Sequence, residues 1–223
     1  MTAPVQPGRA NWEKTYSATT ADQTHALAVR LAAVLQAGDL LVLSGELGAG
    51  KTTFTQGLGE GLGVRDGIIS PTFVLVRIHP NLPDGPRPGG PDLVHVDAYR
   101  LGSAAEIDDI DLENTLDSSV TVVEWGHDRV EHLSESRLEI DLHRTIGLGA
   151  TGHGATGLSA LGHGASGLDA GASGPTELDF DSEDTDEPRT IVMRGFGPRW
   201  PTAPELGGPE LGGTDLGAVE GKP

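Results

Sequence analysis

The stretch Gly45-Glu46-Leu47-Gly48-Ala49-Gly50-Lys51-Thr52 restricts the fold of this chain more than any other feature. It matches the pattern G-x-x-x-x-G-K-[ST] in full. The apolar run Asp39-Leu40-Leu41-Val42-Leu43-Ser44 directly precedes it and suits a buried strand of a parallel sheet. From Lys51 to about Leu62 the chain reads as the helix that the loop opens. Glycines let backbone wrap closely around an anion, and consecutive N–H groups then form a nest for phosphate oxygens. The helix aims the positive end of its dipole at the same charge. Lys51 adds a full positive charge for β- and γ-phosphates, and the Thr52 hydroxyl is placed to ligate Mg²⁺.

A phosphate loop of this kind needs a carboxylate on a neighbouring strand to hold the metal and position the attacking water. Two candidates stand at strand ends. Glu124 closes Val120 to Val123, and Asp97 closes Leu93 to Val96. The spacing does not divide the roles between them. Ser70-Pro71-Thr72 falls between the helix and the next strand, where such proteins carry a nucleotide-sensing switch; out of context it is a turn. Trp125 follows Glu124, and stacking near a nucleotide and simple packing are both open to it.

Elements around this centre follow from pattern. Thr20 and Gln23 have the form of a capping box, with Leu27, Leu31, Val34 and Leu35 behind them at helical spacing. Residues 1–18 read as a loose segment. Residues 72–79 alternate as a strand, 80–91 form a Pro/Gly loop and 93–97 a second strand. Ser103 and Glu106 start an acidic helix through about Leu116, and 119–124 is a β-branched strand. A short helix is expected at 128–133 and a strand at 136–143. Gly57, Gly59 and Gly61 weaken the helix after the loop by about 1 kcal/mol each relative to Ala, a cost that tight packing on the sheet would offset.

The core is therefore expected to span 19–145 and to close with 189–200. Residues 146–188, Gly/Ala/Ser-rich and then acidic, repeat Gly152-His153-Gly154-Ala155 as Gly162-His163-Gly164-Ala165. They are too poor in apolar side chains to offset their ordering entropy, and their two histidines read as inert. Residues 201–223 read as a disordered tail. The fold class is α/β and P-loop NTPase-like, a mostly parallel central sheet flanked by helices, ending in an antiparallel hairpin interrupted by the insertion.

Charge limits the partners. With 33 acidic against 15 basic residues the formal net charge is −18, which repels a bare phosphate backbone. There is no cysteine, which excludes disulfides and thiolate metal sites. No run of about 18 apolar residues is present to span a membrane, and Met1 to Ala10 lacks the form of a secretory signal. Cytoplasm is the expected location.

Four segments occur in order: the loop continuing through Thr53 and Phe54, Ser70-Pro71-Thr72-Phe73, His95-Val96-Asp97-Ala98-Tyr99-Arg100-Leu101 and Val123-Glu124-Trp125. Together they resemble TsaE (YjeE), the bacterial ATPase family of tRNA threonylcarbamoyladenosine biosynthesis, over roughly residues 15–144. The resemblance implies ATP and Mg²⁺ as cofactors, TsaD and TsaB as protein partners, and contact with tRNA only through that complex. It implies that Gly48, Ala49, Gly50, Lys51, Thr52, Thr53 and Trp125 bind nucleotide and that Thr52 and Glu124 ligate Mg²⁺. Lys51, Asp97 and Glu124 would be catalytic, Ser70, Pro71 and Thr72 the switch, and Thr24 a weaker match near the nucleotide. The insertion and acidic tail depart from the family pattern. Two other readings share the loop: a small-molecule kinase, and a non-catalytic nucleotide-gated module. Against a kinase, Arg65, Arg77, Arg87, Arg100, Arg129, Arg137 and Arg144 are scattered rather than grouped as a lid.

Overall fold

The computed structural model describes residues 8–101, 103–108, 110, 112–144, 187–207 and 214–215. Along the chain run β1 (Trp12–Ala18), α1 (Ala21–Ala32), β2 (Leu40–Gly45), α2 (Lys51–Leu62), β3 (Val76–His79) and β4 (Asp92–Asp97). Then follow α3 (Ala104–Asp108), α4 (Glu113–Leu116), β5 (Ser119–Glu124), β6 (Arg137–Arg144), β7 (Arg189–Phe196) and the two-residue β8 (Thr214–Asp215). All strands join one sheet in the order β3-β4-β5-β2-β6-β7-β1-β8. The centre, β4-β5-β2-β6, is parallel, and both flanks are antiparallel.

β2 sits in the middle of the parallel centre and is buried on both faces, which is why its sequence is a continuous apolar run. Leu41 and Leu43 pack with Leu27, Leu31, Phe54 and Leu58 of α1 and α2. Leu40 and Val42 pack on the opposite face with Ile107, Leu112, Leu116 and Val130. The same two-residue alternation sorts the neighbouring strands. Leu93 of β4 and Val120 and Val122 of β5 belong to the α1–α2 face, while Val94, Val96 and Val123 belong to the other. His95, Asp97 and Glu124 consequently fall on the face that carries the phosphate loop.

Two of the three glycines of α2, Gly57 and Gly61, are compensated by α1 rather than by the sheet, while Gly59 makes room for Ile68 and Val64. A Cβ on Gly57 would lie 2.4 Å from the His25 carbonyl oxygen, and one on Gly61 would lie 2.6 Å from the Ala32 Cβ. The missing side chains let the two helices touch backbone to backbone.

The structure corrects several expectations. Residues 12–18 are not loose: β1 pairs with β7 from Trp12↔Gly195 to Ala18↔Arg189, and the Trp12 indole N–H donates to the Trp200 carbonyl (3.1 Å). The expected strand at 72–79 is formed only at its end, because residues 72–75 turn. The amides of Val74 and Leu75 both donate to Pro71 O (2.9 and 2.7 Å), and Leu75 takes φ +67°. Residues 128–133 make turns instead of a helix, and the acidic helix divides into α3 and α4. Thr20 caps Gln23 N, but Gln23 returns its bond to Thr19 N, one residue earlier than a capping box requires. The insertion at 146–188 lies outside the described residues except at its last two, and in the 201–223 tail Thr214–Asp215 pairs with β1.

Tyr16 of β1 is 5% exposed, and its hydroxyl has no hydrogen-bond partner among the described residues. Burial, helped by Glu205 and opposed by Arg30, raises its pKa from 10.0 to about 12. A raised phenol pKa contributes stability that is complete below pH 10 and lost as pH climbs to about 12. Tyr16→Phe is therefore expected to leave neutral-pH stability unchanged or higher. It should also flatten the fall of the urea midpoint between pH 10 and 12; a fall as steep as in the unsubstituted chain would contradict this placement of Tyr16.

Candidate functional site

The loop between β2 and α2 is shaped by three glycines with positive φ: Gly45 (+146°), Gly48 (+76°) and Gly50 (+98°). Gly45 has no alternative, since a Cβ there would lie 2.4 Å from the Leu142 carbonyl oxygen on β6. Gly50 is the N-cap of α2 and provides no side-chain cap bond. The amides of the first turn are thus not claimed by a capping side chain, which is the condition for a helix N-terminus to take an anion.

Lys51 opens α2 and is only 6% exposed. Its ammonium donates to the carbonyls of Gly45 (2.9 Å) and Glu46 (3.0 Å). It also lies 4.0 Å from the centroid of the Trp125 ring, within cation–π range. Burial lowers the pKa of Lys51, and the charges of Glu124 and Asp97 partly offset this. Thr52 and Thr53 are part-exposed on the same turn, and the methyl of Thr24 from α1 stands 3.8 Å from where a Gly50 Cβ would be.

Parallel pairing brings both acids to this point. Asp97 is in register with Glu124, and Glu124 with Leu43 of β2, so the carboxylates end their strands beside the loop that follows β2. Glu124 is 2% exposed, and its Oε1 lies 2.8 Å from His95 Nε2. Asp97 is 3% exposed and engaged through both oxygens. Its Oδ2 accepts from Thr72 Oγ1 (2.6 Å) and Ser70 Oγ (3.2 Å), and its Oδ1 from Tyr99 N (2.9 Å). The turn at 70–75 is therefore the tether of the expected switch to Asp97, and Asp97 N–H further donates to Leu75 O (2.9 Å). Trp125 takes φ +61° and stacks edge-on with Tyr99 at 5.5 Å.

All the sequence-assigned site residues converge here. Sequence reasoning missed three further groups. His95 lay inside a quoted segment without a role. Arg144 and Arg189 are paired across the β6–β7 hairpin. Their side chains lie 3.5 Å from a Gly48 Cβ position and 3.4 Å from a Gly50 one, while Arg144 is bound to Glu187 (2.6 Å). Only the hairpin register could have placed those arginines at the loop. A separate group, His127, Asp128 and Glu131, lies on an outer turn; the bond from Asp128 N to Glu131 Oε1 (2.7 Å) accounts for part of it as turn structure.

The donors fit a metal-chelated phosphate. Open helix amides and a buried ammonium suit phosphate oxygens. A hydroxyl and a carboxylate are hard oxygen ligands of the kind Mg²⁺ takes.

Comparison with known proteins gives one consistent family. The model of "Threonylcarbamoyl adenosine biosynthesis protein TsaE" matches residues 18–147. A Streptomyces coelicolor protein named tRNA threonylcarbamoyladenosine biosynthesis protein TsaE is 46% identical over 78% of this chain and 91% of its own. A protein of the same name from Bacillus subtilis is 40% identical over 55% and 73%. The crystal structure of Bacillus subtilis YdiB superposes with a TM-score of 0.53 at 27% identity, covering 84% of this chain and 88% of that one.

The Asp97 tether makes a measurable claim. Asp97→Ala should lower the local opening free energy of the 70–75 turn by about 1–3 kcal/mol. Hydrogen exchange would then accelerate at Val74 and Leu75 but not at β2. Equal protection in both chains would show that the turn is held by other contacts.

Proposed function

Since the chain belongs to the TsaE family of threonylcarbamoyladenosine biosynthesis proteins, we propose that it is the subunit that binds and hydrolyses ATP in that modification. It acts with TsaD and TsaB on the adenosine next to the anticodon of tRNAs reading codons that start with A. The observation that carries the reading is the convergence of Lys51, Glu124 and the Asp97-held switch on one glycine loop.

In this reading the amides of residues 48–53 and the Lys51 ammonium bind the phosphates. Phosphate oxygens, as full anions, are stronger acceptors for Lys51 than the two neutral carbonyls it meets now. Thr52 and Glu124 would hold Mg²⁺, which when bound neutralises charge on the β- and γ-oxygens. Glu124, on a buried strand end, orients the water that attacks the γ-phosphorus. Asp97 does different work. By holding Ser70 and Thr72 it ties the switch to the strand end next to Glu124. Phe73 and Val74, 84% and 54% exposed, give that switch an apolar surface for a protein partner. The acidic balance of the chain supports an arrangement in which TsaD and TsaB hold the tRNA. No helix among the described residues is long and apolar enough to cross a membrane.

Calorimetry on the folded chain should detect Mg²⁺-dependent affinity for ATP or ADP, and Lys51→Ala should weaken it. Glu124→Ala should keep the nucleotide binding that does not depend on Mg²⁺ yet lower turnover by at least about 100-fold, measured with TsaD and TsaB present. Reconstituted tRNA modification should require both ATP and this chain. Modification that proceeds equally without it, or transfer of the γ-phosphate to a metabolite, would overturn the assignment.

A further inference from the structure

His95 is fully buried on β4, one pleat before Asp97 and on the same face of the sheet. Its Nε2 lies 2.8 Å from Glu124 Oε1, with side-chain exposures of 0% and 3%. A carboxylate accepts hydrogen bonds, so Nε2 carries the hydrogen of this contact. The Nδ1 of His95 is buried without a partner among the described residues. An aliphatic residue would fill this position without burying an unmet ring nitrogen. Among the described residues, the one hydrogen bond that the histidine side chain makes is to Glu124. The dependence is mutual: among the described residues no other hydrogen-bond donor reaches the Glu124 carboxylate. Lys51, the cation whose field acts on it, donates instead to Gly45 O and Glu46 O.

We propose that His95 is the positioning residue for Glu124, holding Oε1 so that Oε2 is presented to the metal and keeping the carboxylate from swinging onto the Lys51 ammonium. Without that bond a buried carboxylate beside a buried ammonium pairs with it. The pairing would turn the metal-ligating oxygen away from the phosphates, while the ammonium, with three donors, can still reach them. The inference rests on the reading of Glu124 as a ligand of nucleotide-bound Mg²⁺, and it adds the residue that sets its orientation.

Two polar substitutions separate positioning from mere filling of the core. The amide nitrogen of a glutamine reaches about as far as Nε2, whereas that of an asparagine stops near the Nδ1 position. His95→Gln should therefore retain the donor to Glu124, and His95→Asn should lose it. Each full-length variant is compared with the unsubstituted chain for ADP affinity in EDTA, for the gain in affinity on adding Mg²⁺, and for kcat and KM of ATP hydrolysis with partners present. His95→Asn is expected to bind ADP normally in EDTA, lose the Mg²⁺-dependent gain and fall about 10–100-fold in kcat at similar KM. His95→Gln should stay close to the unsubstituted chain. Indistinguishable variants, whether both active or both impaired, would overturn the proposal. So would a His95→Asn loss as large in EDTA as in Mg²⁺, since that is damage to the loop. If the unsubstituted chain itself gains no affinity from Mg²⁺, the nucleotide reading fails first; if it does gain and the variants match it, only the role of His95 fails.

Discussion

A lysine ammonium with 6% of its residue surface exposed must be compensated, and most of the local geometry around the loop can be traced to that requirement. Burying a charge is costly unless hydrogen bonds and opposite charge surround it. Lys51 obtains two backbone carbonyls, the face of Trp125 and the field of two nearby carboxylates. Each of these imposes a constraint in turn. The carbonyls of Gly45 and Glu46 reach Lys51 only because the loop curls through positive φ. Trp125 lies beside the ammonium with its own backbone at φ +61°, a conformation uncommon for a bulky residue. Burial lowers the Lys51 pKa, and the charges of Glu124 and Asp97 oppose that. The left-handed backbone of Trp125 and the buried Lys51 ammonium thus meet at one point beside the loop.

The carboxylates are kept apart by their partners rather than by distance along the sheet. Asp97 and Glu124 stand in register on adjacent strands, where two bare acids would repel one another. Asp97 spends both oxygens on Thr72, Ser70 and the Tyr99 amide, and Glu124 receives His95. Two chemically similar side chains thus acquire different surroundings: one is bound to the 70–75 turn, the other to a buried imidazole. Strand-end position alone did not distinguish the two acids; the donors behind each of them do differ.

Much of this was readable in the sequence because its signals are local. The glycine loop, the apolar run before it and the acids closing Val120–Val123 and Leu93–Val96 each depend on a few adjacent residues. What escaped depends on partners far along the chain. β1 looked loose because Glu13, Lys14 and Ser17 interrupt its apolar pattern; its strand state comes from β7, where Gly195 leaves room for Trp12. Residues 72–75 have strand-like composition, yet the bond from Thr72 to Asp97, 25 residues away, captures them in a turn. Gly57 and Gly61 read as weaknesses until α1 is seen to need their missing side chains. His95 was visible as a letter in a segment and became a partner for Glu124 only through β4–β5 register.

The same logic accounts for how a long insertion coexists with the site. β6 and β7 keep continuous register from Arg137↔Phe196 to Arg144↔Arg189, so the chain leaves the sheet and returns at a single rung. Closing a longer loop costs only about 0.6 kcal/mol for each doubling of its length, little against eight rungs of a buried ladder whose inner residues include Leu138, Ile140, Leu142, Ile191 and Met193. Yet the rung that bears the insertion is also the one whose arginines stand beside Gly48 and Gly50, and Glu187 binds Arg144 there. The point of departure is consequently part of the loop's surroundings. The tolerance of the fold for added sequence is greatest where its ladder ends, and in this chain that end borders the phosphate loop.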